Sequence, residues 1–143
     1  MTTFHFGPAT ILFASLVAMP VTANAQGVNI GKNEFMNSCA VCHGTGGKGD
    51  GPLAKVIDKK VADLTVLQKN NKGVFPFNRV YNMIDGRELV AAHGTREMPA
   101  WGSAYKEEAV RAVPYEGTES IYAASVRGRI LALIAYISTL QAK

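Results

Sequence analysis

Apolar and polar positions divide this chain into stretches of different period. Residues 9–23 form an uninterrupted uncharged run, too short to cross a bilayer comfortably as a helix. Further on, Phe77, Val80, Tyr81 and Ile84 recur at i, i+3, i+4 and i+7. That spacing predicts one helix with a single apolar stripe, with Pro76 in its first turn and Gly86 at its carboxy-terminal stop. Near the end, Val126, Ile130, Leu133, Ile134, Ile137 and Leu140 trace one face of a longer helix starting between Thr118 and Ser120. Gly128 is the one unfavourable residue inside it. Phe35 and Cys39, four apart, share a face on an earlier helix, for which Asn29 or Asn33 is a suitable cap. The glycine-rich segment at 43–51 should end that helix. Residues 53–73 read as loop with one or two short helices, and 103–114 as a short helix stopped at Pro114. No convincing strand appears, so the expected class is all-α.

The first 25 residues differ from the rest. The apolar run is followed by Ala23-Asn24-Ala25 and then Gln26, the layout of a secretory signal with an A-x-A-like cleavage site. No Lys or Arg precedes the run, which leaves an uncleaved anchor as the alternative. Cleavage would leave a single domain, 26–143, that carries all fifteen basic and eleven acidic residues. Its net charge of +4 suits acidic partner surfaces or anionic membrane faces. With no basic run longer than Lys59-Lys60, nothing argues for nucleic acid binding.

The only two cysteines are Cys39 and Cys42, and His43 follows directly. A disulfide between them would close a very small loop and leave the histidine unexplained. Zinc would need a second ligand cluster, and His93 is the only other histidine after the leader. A thioredoxin-like motif needs a preceding strand, whereas the residues before Cys39 read as helix. Covalent haem attachment accounts for all three residues. Two thiols one helical turn apart can reach two vinyl groups on one porphyrin edge. The adjacent imidazole is then held over the ring, where its Nε2 can bind iron.

With these residues in view, the chain resembles the class I cytochromes c, the small monohaem electron carriers, over 31–140. Besides "CAVCH", the resemblance rests on Gly31, Phe35 and Cys39 at intervals of four, on "GDGPLA", on "MPAWG", and on "LIAYISTL" near the end. It implies several short helices packed round one covalent haem c per chain. It also implies that Tyr136 crosses Gly31 and Phe35, and that the Pro52 carbonyl accepts the Nδ1–H of His43, although an ordinary turn proline is an equal reading. Met98, before Pro99, is the expected sixth iron ligand, a soft neutral sulfur that raises the potential. His93 is its rival. Met36 lies too close to the attachment site, and Met83 lies off the predicted stripe of its helix. Arg96 and Trp101 are candidates to bond a propionate or to serve the surface.

The segment 103–118 departs from the simplest class I pattern. It is expected to be a surface insertion, a shield for the haem edge, or a partner contact. The function implied is one-electron transfer between periplasmic redox partners, with no catalysis. The alternatives are a subunit of a larger dehydrogenase or oxidase complex, and an enzyme or gas-binding haem protein with Met98 weakly bound or absent.

Overall fold

The computed structural model describes residues 23–58, 60–87, 98–114 and 118–142. The expected rival ligand His93, and Arg96, lie outside them. Among the described residues there are helices and turns and no strand.

The first helix is longer than its expected caps allow. α1 runs from Ala23 to Glu34, passing straight through Asn29 and Asn33. It continues without a break into a π turn, Phe35–Cys39, and then into α2, Ala40–His43. In the π turn the Ala40 N–H donates to the Phe35 carbonyl five residues back, one more than in an α-helix. After two 3₁₀ turns, Pro52–Lys55 and Leu64–Val66, come the short α3 (Leu67–Asn70) and α4 (Phe77–Asp85). Gly86 ends α4 in the left-handed conformation, φ 89°, as its position predicted. α5 spans Trp101–Ala112 and α6 spans Glu119–Thr139, with Thr118 at its amino-terminal cap position.

α6 is the spine, packed against α1, α5 and α4. Its predicted face is the buried one: Ile130 and Leu133 are fully enclosed, and Ile134 and Ile137 nearly so. The crossing with α1 depends on Gly31. A Cβ there would sit 1.9 Å from the Ala132 carbonyl oxygen, so only a bare Cα lets the two backbones meet. One turn on, Phe35 is fully buried against Tyr136, with ring centroids 5.3 Å apart and planes tilted by 55°. These are the residues the resemblance placed at the crossing.

One expectation changes. The segment that follows Trp101 is not peripheral, because α5 carries Tyr105, 1% exposed, into the core against α6. The α4 stripe holds at three of its four positions: Ile84 is buried, Val80 and Tyr81 pack against the core, and Phe77, at the helix start, is 44% exposed.

Candidate haem site

The end of α2 and the glycine loop build one wall of that cavity. Beyond His43 the chain folds back on the helix it has just left. The Gly49 N–H donates to the His43 carbonyl (2.8 Å), and the Gly51 N–H to the Cys42 carbonyl (3.1 Å). The Leu64 N–H reaches the Gly47 carbonyl (2.7 Å), which lays the 61–64 segment beside the loop. Gly49, at φ 78°, is required in this fold-back, since a Cβ there would lie 2.5 Å from the Val61 carbonyl.

This arrangement brings the Ala62 carbonyl to 2.9 Å from His43 Nδ1. The acceptor expected from the resemblance, Pro52, does not fill that role. Pro52 opens the exposed 3₁₀ turn, where its fixed φ and missing N–H are assets. The glycine loop lays the later 61–64 segment beside His43 and leaves Pro52 outside. The Ala62 segment is itself held down. Asp63 Oδ1 accepts from the Thr65 N–H (2.8 Å) and from its hydroxyl (2.7 Å). The carboxy terminus adds a clamp: Gln141 donates to the Leu64 carbonyl (2.7 Å), and the Ala142 N–H donates to the Thr65 carbonyl (2.8 Å).

With Nδ1 engaged by a carbonyl, the lone pair of the neutral ring is at Nε2. Burial lowers the His43 pKa from its ordinary 6.5, and the bond to Ala62 only partly opposes this. The imidazole is therefore held in the form that binds a metal. Cys39 and Cys42 are free thiols. Burial, with smaller contributions from Glu34 and Cys42, pushes Cys39 up to about 12, so its sulfur stays protonated.

Both thiols and His43 line a cavity of about 750 Å³, together with Met98 and Trp101 beyond the glycine loop. The floor and sides are mainly aliphatic, from Leu64, Leu67, Val80, Ile84 and Ile137. Met83, off the predicted stripe, lies on this wall as well. Among the described residues no three His, Cys, Asp or Glu side chains are grouped to hold a bare metal ion. The donor set instead suits a metal carried inside a large apolar macrocycle. It comprises two reduced thiols one turn apart, an imidazole free at Nε2, a thioether sulfur, and room for the ring.

An all-α domain closed round such a cavity behind a C-x-x-C-H turn defines a c-type cytochrome, with covalently bound haem c. The chain matches the family model described as cytochrome c oxidase, cbb3-type, subunit III, over residues 26–114, and belongs to that family. The match runs from α1 through α5, takes in every cavity-lining residue except Ile137, and stops before α6. No solved structure matches the chain.

Proposed function

We propose that this protein is an exported monohaem electron carrier in which Cys39 and Cys42 would bind the haem and His43 and Met98 would hold its iron. When bound, haem c supplies a one-electron ferrous/ferric couple. The observation that carries the reading is the gathering of two free thiols, His43 and Met98 on one apolar cavity. Each residue has a distinct task. Cys39 and Cys42, both free thiols, would hold the haem covalently through their sulfurs. His43 offers Nε2 while Ala62 holds its other nitrogen. Met98 supplies a neutral sulfur, and its loop is stiffened by Pro99. With His43 and Met98 both given to the iron, a substrate would find no site left on it, which suits transfer rather than catalysis.

Export and a periplasmic location are supported by the 1–25 leader pattern, and the family match begins at residue 26, after the expected cleavage site. At the cavity mouth Val41 and Leu53 line the wall yet are 40% and 44% exposed, and the neighbouring Val56 is 74% exposed. The exposed Lys55 and Lys60 flank them. This apolar rim bordered by lysines suits brief docking to acidic partners. The family's description favours a second reading, a subunit of an oxidase complex. Size-exclusion chromatography of the native protein from its host separates the two, since a free carrier elutes as a monomer.

The attachment is tested by the intact mass of the exported protein, which should exceed that of its amino acids by one haem. A mass equal to the polypeptide alone rules the reading out. Met98→Ala should abolish the weak long-wavelength ferric band of an iron–sulfur bond, and survival of that band moves the ligand elsewhere.

A further inference from the structure

Behind the cysteine wall, away from the cavity mouth, lies a charged cluster that the electron-carrier reading leaves unused. Glu34 is the last residue of α1, five positions before Cys39. Glu34 and Cys39 lie on one continuous helix, and Ser38, whose hydroxyl donates to Glu34, lines the cavity wall beside Cys39. The Glu34 side chain is 15% exposed, and its carboxylate accepts from the Ser38 hydroxyl (3.1 Å) and from Arg129 Nη2 (2.9 Å). Arg129, on α6, also donates to Glu108 of α5 and lies over the Tyr105 ring, 3.9 Å from its centroid. The buried Tyr105 hydroxyl sits beside Glu34 without a hydrogen bond of good geometry.

Two carboxylates therefore share one guanidinium, a net single negative charge. The two are not equivalent. Glu108 is 52% exposed and screened by water, whereas Glu34 is enclosed. The electrostatic reach of Glu34 is visible in its neighbours: it helps push both the Cys39 thiol and the Tyr105 phenol upward.

We infer that Glu34 is a positioning residue for charge: a fixed, largely enclosed anion on the helix that leads into the Cys39 attachment point, which stabilises the ferric state and lowers the reduction potential. The ferric centre carries one more positive charge than the ferrous one, so a nearby buried anion favours oxidation. Arg129 sets how much of that charge is cancelled. The inference rests on the proposed attachment of haem through Cys39.

The test is a spectroelectrochemical titration of the full-length holo-protein, exported and haem-loaded, in mildly alkaline buffer. Glu34→Gln should raise the midpoint potential with covalent haem and the low-spin spectrum unchanged, and the shift should persist in high salt. Glu108→Gln should give a smaller shift that salt suppresses. Arg129→Met, which leaves both carboxylates uncompensated, should move the potential in the opposite direction. It also provides the decisive reading if Glu34→Gln does not accumulate. A haem-loaded Glu34→Gln protein with an unchanged potential, or with a shift no larger than that of Glu108→Gln, overturns the inference. So does an Arg129→Met protein whose potential does not fall. Loss of the haem adduct in the unsubstituted protein would instead refute the attachment.

Discussion

Two glycines on facing helices show how far a residue's meaning depends on what lies opposite it. Gly31 meets the Ala132 carbonyl so closely that any side chain must push α1 and α6 apart. Gly31→Ala should destabilise the holo-protein by about 1–3 kcal/mol in a denaturant titration, the range for an overpacked contact. At Gly128 an added Cβ meets nothing within 4 Å. Gly128→Ala should instead stabilise by up to about 1 kcal/mol, through helix propensity alone. Asp63 acts at the same scale. Its two bonds from Thr65, with a lesser contribution from nearby Lys48 and Lys60, hold its carboxyl below the ordinary 3.8. A carboxyl whose folded pKa is depressed contributes stability that is present above its unfolded pKa and is lost as pH falls through the folded one. Asp63→Ala should thus cost about 1 kcal/mol near neutrality, the usual worth of such a cap. The difference from the unsubstituted protein should shrink when melts are repeated in acid below 3.8.

At the scale of elements, α5 is the informative case. Its sequence, with Lys106, Glu107 and Glu108 in succession, has the polarity of a surface segment. Tyr105 nevertheless turns inward beside Trp101, with ring centroids 6.0 Å apart, and packs on α6. Tyr105→Ala should cost about 3–5 kcal/mol, as expected for removing a large buried aromatic. A loss below 1 kcal/mol would mark α5 as dispensable. Tyr105→Phe should be neutral or mildly stabilising, since the hydroxyl it removes is buried without a partner. The π turn belongs to this scale too. Nothing in the one-dimensional pattern distinguishes i+5 hydrogen bonding from an ordinary helix, because Phe35 and Cys39 read as one face either way.

For the whole molecule, the dominant fact is a large apolar hole in a small domain. A cavity of about 750 Å³ cannot be left empty or flooded without forfeiting much of the core's packing. The paired variant Cys39→Ala/Cys42→Ala, exported without covalent haem, should lose its cooperative melt by circular dichroism and calorimetry. A native-like transition in that protein would show that the polypeptide core is self-sufficient.

The sequence by itself determined whatever depends on near neighbours along the chain. The C-x-x-C-H turn, the stop at Gly86 and the buried face of α6 are all such features, because helical periodicity and turn chemistry are local. The Gly31–Phe35–Tyr136 crossing was legible only through the family resemblance. Only the tertiary structure decided which carbonyl meets His43, that Met83 joins the cavity wall, and whether α5 is surface or core. Those depend on what lies across a gap. Ala62 reaches the imidazole because the glycine loop folds the chain back on itself. Glu34 finds Arg129 ninety-five residues away because α6 crosses α1 at a glycine. A linear pattern records which residues can be buried, and packing in three dimensions selects their partners.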